Sequence, residues 1–137
     1  MTRIIRFGVS MEEKLLKEFD ALLAKEGYKN RSEAIRGIIR ERFVEEEWEK
    51  GEIVAGCIMM VYDHRKRELV QRITDVQHDF HHSIISSQHV HMDHDNCLEI
   101  IVLKGMVENI QALFTAIKSL KGIKYVSISR ATTGSKI

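Results

Sequence analysis

From Ile53 onward the apolar residues change their spacing in a fixed order, and that order leaves few folds open. Ile53 to Tyr62 is a continuous apolar run with Gly56 inside it, which reads as a buried strand, and Cys57 in its middle reads as core. His64 to Gln77 then carries Leu69, Val70, Ile73 and Val76 at helical spacing, with His78 at its C-terminal end. Two strands follow, residues 84–92 and 97–104, joined by the turn-favouring run Asp93-His94-Asp95-Asn96. Val107, Ile110, Leu113, Phe114, Ile117 and Leu120 form a further helical stripe that Gly122 ends, and Ile123 to Ser129 is a last strand. The order β-α-β-β-α-β is that of a split βαβ sandwich. Ala131 to Ile137 is polar and expected to fray.

The first fifty residues follow another pattern. Arg3 to Ser10 alternates, with Ile5, Phe7 and Val9 on one face and Arg6, Gly8 and Ser10 on the other, which predicts a half-buried strand. Ser10 and Glu13 have the spacing of a capping box ahead of a helix with Leu15, Leu16, Phe19, Leu22 and Leu23 inward, and Gly27 stops it. Asn30 and Glu33 repeat that arrangement before a second stripe of Ala34, Ile35, Ile38, Ile39 and Phe43. Glu45 to Glu52 keeps no apolar stripe, so the domain boundary is placed there, giving domains 1–50 and 51–137 in an α+β chain.

A short strand and two helices cannot bury this much apolar surface alone, and a lone strand leaves both edges unpaired. Dimerisation is the natural remedy. Two such strands paired antiparallel would bury Ile5, Phe7 and Val9 and present Arg6, Gly8 and Ser10 from both chains. A two-stranded ribbon of that kind fits the major groove of double-stranded DNA, where arginine takes guanine bidentately. Overall the charge is balanced at +1 and gives no signal for nucleic acid or membrane. Locally the sign is favourable: residues 1–10 hold two arginines and no acid, and Gly27 to Arg42 holds five basic side chains against two acidic ones.

The chemistry concentrates between the first helix of the second half and Cys97. Histidines stand at 78, 81, 82, 89, 91 and 94, and Cys97 closes the stretch. Imidazole with thiolate selects a borderline or soft transition metal over Mg²⁺ or Ca²⁺. On a strand, His89 and His91 lie on one face about 6.6 Å apart. A hairpin through residues 93–96 would fold Cys97 back towards them. The fourth ligand stays open at this level among His78, His81, His82 and His94, and His64 reads as a surface residue at a helix start. The plainer alternative is a polar edge beside a small core cysteine.

Nothing at the N-terminus reads as a secretion signal, and no apolar run is long enough to span a bilayer. Two cysteines forty residues apart make a poor disulfide framework, and a thiolate ligand needs a reducing compartment, so the chain is expected to be cytoplasmic.

A strand-helix-helix start with Asn30-Arg31-Ser32-Glu33-Ala34-Ile35-Arg36, joined to a βαββαβ domain with Gln77-His78, His89-Val90-His91 and Asp95-Asn96-Cys97-Leu98-Glu99, resembles the nickel-responsive repressor family, NikR. The N-terminal half is similar to ribbon-helix-helix repressors more generally. The resemblance implies a ribbon-helix-helix DNA-binding domain followed by a ferredoxin-like, ACT-like regulatory domain. It implies a homotetramer, a dimer of dimers, repressing nickel-uptake genes. It implies Ni²⁺ held in a planar site by His89, His91 and Cys97 of one subunit and His78 of another. Arg6, Gly8 and Ser10 align with the family's base-reading positions, where Gly8 replaces a frequent hydroxyl residue. Tyr62 and Glu99 match residues near the family's metal site. The acid pair that holds a second cation in some members has Glu33 here but Gly37 one turn later.

These features predict a metal-responsive repressor and not an enzyme. Two other functions fit parts of the pattern. A metalloenzyme would keep an open coordination position with a labile water. A metal buffer or chaperone would make Arg6 functionally silent.

Overall fold

The structure, a computed structural model, describes residues 2–137. The described residues divide into two compact units, one ending at Glu41 and the other running from Arg42 to Ile137.

In the first unit, helix α1 (Glu13–Lys25) ends in Glu26, whose N–H reaches the Leu22 carbonyl at 3.0 Å, and Gly27 then takes φ +82°, a conformation that favours glycine. Helix α2 (Arg31–Glu49) starts as expected: the Asn30 side chain accepts the Glu33 N–H at 2.9 Å. Arg31 joins the two helices by donating from Nε and Nη2 to the Asp20 carboxylate, both at 2.9 Å, which holds that carboxyl below its ordinary range. Two expectations need correction. Residues 3–10 form no hydrogen-bonded ladder among the described residues, because a strand needs a partner and the chain supplies none. Ser10 does not cap α1; Glu12 stands at that position, with no side-chain cap bond.

The unit is also incompletely filled. No residue of α1 is buried, Phe7 is 72% exposed, and Phe7, Val9, Leu15, Phe19, Ile35 and Ile39 line an apolar hollow of about 440 Å³.

The division falls between Glu41 and Arg42, inside α2, because the end of that helix packs into the second unit through Trp48, which is 4% exposed. The second unit continues with β1 (Ile53–Tyr62), α3 (Arg67–Asp79), β2 (Ile84–His91), β3 (Cys97–Met106), α4 (Val107–Lys118) and β4 (Tyr125–Arg130). Its strands form one antiparallel sheet in the order β2-β3-β1-β4, the arrangement of a split βαβ sandwich.

Side chains alternate across this sheet. Ile58, Met60, Ile101 and Leu103 are fully buried, in one cluster with Leu69 and Ile73 of α3 and Ile110, Leu113 and Ile117 of α4. Each such side chain contributes about 1.5–3 kcal/mol on burial. Ala55, Cys57, Met59 and Val61 alternate with the buried residues of β1 and remain half-buried. Cys57 is therefore not core as expected: the continuous apolar run reflects a sheet apolar on both faces. Its thiol is still pushed up, mainly by partial burial.

The tail is not simply frayed. Ala131 N–H donates to the Ala55 carbonyl at 2.9 Å, and Thr132 and Lys136 also find partners.

Candidate metal centre

The hairpin of β2 and β3 brings the metal-ligating residue types together. Asp93 shapes its turn, accepting the Asp95 and Asn96 N–H groups on Oδ1, both at 2.8 Å, and the Asn96 side-chain amide on the same oxygen at 3.0 Å. The amide of Asn96 is the main cause of the lowered Asp93 carboxyl. The register that results sets His91 opposite Cys97 and His89 opposite Glu99. Both imidazoles thus project from the face that carries Cys97 and Glu99, which are fully buried, while His89 keeps a half-exposed side chain.

Glu99 organises the site. Its Oε1 accepts the Tyr62 hydroxyl at 2.7 Å and lies 3.0 Å from His89 Nε2. Its Oε2 accepts from the Gln77 side-chain amide and from Ser87 Oγ at 3.4 Å. With Nε2–H directed to Glu99, the lone pair of His89 sits on Nδ1, which lies 3.9 Å from Cys97 Sγ and 3.3 Å from the Tyr62 hydroxyl. Burial, then Glu99, drives the Tyr62 phenol far above its ordinary range, so it remains a proton donor.

A second cross-link steadies the loop before α3. Arg65 donates to both Asp63 oxygens, at 3.1 and 3.0 Å, and reaches Asp95 at 3.0 Å, tying the end of β1 to the hairpin turn. Asp63 is held well below the carboxylate range, first by Arg65. That carboxylate favours the fold above about pH 4, and its contribution fades only as pH falls through the lowered value.

The other histidines divide. His64 stacks on His91 with ring centres 4.3 Å apart and planes 7° apart, so it is no bystander at a helix start. His78 lies exposed in the last turn of α3, stacked on His81 at 5.9 Å, and His81 meets His82 edge-on at 5.3 Å. Among the described residues, no group of three or more His, Cys, Asp and Glu side chains is arranged to hold a metal ion within one chain. His89, His91, Cys97, Tyr62 and Glu99 are thus brought together; His78 sits on α3 among other histidines. Sequence reasoning gave no role to Ser87, nor to Gln77 beyond its place in the Gln77-His78 motif. Gln77 follows Ile73 by four residues, which already placed it on the inward side of α3. Of the N-terminal candidates, Arg6, Gly8 and Ser10 are all exposed, and a Cβ on Gly8 would meet no atom within 4 Å.

A hairpin bearing two imidazoles and a thiol and a separate two-helix unit in one chain fit the class of ribbon-helix-helix proteins with a metal-binding domain. Residues 5–46 match the family model of the ribbon-helix-helix proteins of the copG family, and residues 55–131 match that of the NikR C-terminal nickel-binding domain. Relatives are proteins named nickel-responsive regulators. The one from Chlorobium phaeobacteroides is 50% identical over 94% of this chain and 96% of its own. That of Syntrophus aciditrophicus is 48% identical over 98% of each, and that of Nitratidesulfovibrio vulgaris 50% identical over 98% of this chain and 97% of its own. The chain belongs to the NikR family of nickel-responsive regulators. An uncharacterized protein from Thermotoga maritima shares the fold, with a TM-score of 0.53 and 18% identity over 58% of this chain and 98% of its own.

Proposed function

We propose that the protein is a nickel-responsive, DNA-binding repressor of nickel-uptake genes, with Ni²⁺ as effector and not as the centre of a catalysed reaction. The observation that carries this reading is the placement of His91 opposite Cys97, and of His89 Nδ1 beside its thiol, on a hairpin in a chain of this family. Two imidazoles and a thiolate suit Ni²⁺ or Cu²⁺. His89, His91 and Cys97 would hold the ion, and His78 of a neighbouring subunit would complete the set. Bound metal supplies a cross-link between subunits. The chain's own contribution is to hold His89 in one tautomer through Glu99 and to keep the thiol out of water. No helix is long and apolar enough to cross a membrane, and the cytoplasm is the proposed location.

The proposed assembly is a homotetramer built from two DNA-binding dimers. Its support is the apolar surface left open in each unit: the hollow beside α1, and the half-buried sheet face of Ala55, Cys57, Met59 and Val61. Arg6, Gly8 and Ser10 are assigned to the DNA bases. Presenting two dimers together raises the effective concentration of the second on its half-site.

The direct test is binding to a nickel-uptake promoter with and without Ni²⁺; equal affinity in both conditions sinks the reading. Arg6→Ala should leave nickel titration unchanged and weaken operator binding by about 1–3 kcal/mol for each bidentate arginine–guanine pair that it removes. A gel-shift series with undiminished affinity removes Arg6 from the recognition set. Acid should release the metal, because imidazole and thiol must lose protons before they bind it. Equilibrium dialysis showing equal retention at pH 5 and pH 8 would rule out this donor set.

A further inference from the structure

We infer that Ala131–Lys136 is a strap that fixes the end of α2 to the sheet, and that the nickel signal reaches the DNA-binding unit only while the strap is closed. The inference rests on the reading that nickel controls DNA binding.

Trp48 is the anchor, and the chain has no other tryptophan. In the last turn of α2, Glu47 and Trp48 are buried while Glu45 and Glu49 are exposed. The indole lies against Gly56 of β1. A Cβ there would stand 3.3 Å from Trp48 Cζ2 and 3.0 Å from the Ser129 carbonyl oxygen, so glycine lets helix and sheet approach. One residue then bridges them: Ala131 donates its N–H to the Ala55 carbonyl of the sheet at 2.9 Å, and its own carbonyl accepts the Trp48 Nε1–H at 2.9 Å. The Arg130 guanidinium covers the indole at 5.4 Å.

Thr132 closes the strap. Its hydroxyl donates to the Glu47 carboxylate, with Oγ1 lying 3.3 and 3.2 Å from the two oxygens, and accepts the Gly134 N–H at 3.1 Å, which turns the proton towards Glu47. A carboxylate only 5% exposed is costly to bury without such a donor. Lys136 adds an ion pair to Glu52 on the rim. A tail of small polar residues would ordinarily fray; this one satisfies a buried indole N–H and a buried acid.

The position of the strap gives it reach. Arg130, next to Ala131, pairs with Gly56 near one end of β1, and Tyr62 at the other end pairs with Cys97 and bonds Glu99. One strand thus runs about 20 Å from the metal hairpin to the seat of α2, and α2 continues without a break from Glu49 back to Arg31. The strap is what couples that strand to that helix.

The test uses the full chain carrying Thr132→Val, which keeps the shape and deletes the donor. Nickel affinity, read from thiolate-to-metal absorbance, should stay within about twofold, whereas the nickel-dependent gain in operator affinity should fall by about tenfold or more. Trp48 fluorescence should become more open to acrylamide quenching, and Thr132→Ser should restore both readings. Trp48→Phe, which keeps a ring but removes the N–H, should lose the same gain and decides the matter if Thr132→Val does not fold. An undiminished gain in the folded variants, or unchanged quenching in Thr132→Val, overturns the strap. A wild-type chain that binds nickel but shows no gain overturns the regulator reading itself, and the two failures are thereby told apart.

Discussion

Refolding His78→Ala chains together with Cys97→Ala chains should restore strong nickel binding that neither variant has alone. Each single substitution removes one of four donors from every site in its own assembly. In a mixed interface, one site combines His78 from the Cys97→Ala chain with His89, His91 and Cys97 from the His78→Ala chain, and is complete; its twin lacks two donors. The geometry motivates the experiment, since Cys97 and its two imidazole neighbours share a hairpin face while His78 is stacked on His81 at the end of α3. With random exchange, partial recovery of the absorbance is the most that mixing can give. If one chain supplied all four donors, every site in the mixture would still miss one, and no signal would return after exchange had been verified by mass spectrometry.

Glu99→Ala should be nearly as damaging, by another route. The buried carboxylate gives acceptors to Tyr62 and Gln77 and orients His89, so its removal takes the main acceptor from the buried Tyr62 hydroxyl and from the half-buried Gln77 amide and frees the ring. Each orphaned donor costs about 1–3 kcal/mol, and loss of the orienting group should weaken nickel binding by about 10–100-fold. Glu99→Gln is the companion variant. An amide keeps one acceptor, and the Gln77 amide can turn to offer its oxygen, so denaturant unfolding should move little while nickel binding still weakens. Wild-type nickel affinity in Glu99→Ala would show that Glu99 supports the fold alone.

Much of the second unit was legible because its elements announce themselves by period. The Leu69, Val70, Ile73 and Val76 stripe, the alternation around His89 and His91, and the polar turn at Asp93 each predict one structure, whereas the register that aligns His91 with Cys97 depends on a turn length that the sequence leaves open. What escaped was whatever depended on distant residues. His64 and His91 stack across 27 positions, and the partner of the Trp48 N–H lies 83 residues further on. No local pattern marks either pair. The run from Glu45 to Glu52 looked like a linker because six of its eight residues are charged acids or bases around one tryptophan and one glycine, yet that tryptophan decides where the helix packs. Cys57 misled for a different reason: an apolar residue on a sheet with two apolar faces has no sequence feature that says which face it takes. The N-terminal strand failed for the simplest reason, since hydrogen-bonded pairing there calls for a second molecule.

Dependence on a second molecule reaches beyond structure. A helix with none of its residues buried, beside an unfilled hollow, gains little folding free energy from its own chain. In the proposed dimer a second copy fills the gap, and stability then becomes a function of abundance, rising with protomer concentration as a mass-action law requires. A newly made copy in a cell holding few others would stay open to proteases until it met a partner. The number of copies surviving, and so the sensitivity of the whole response, would then be set by encounter frequency as much as by affinity for metal.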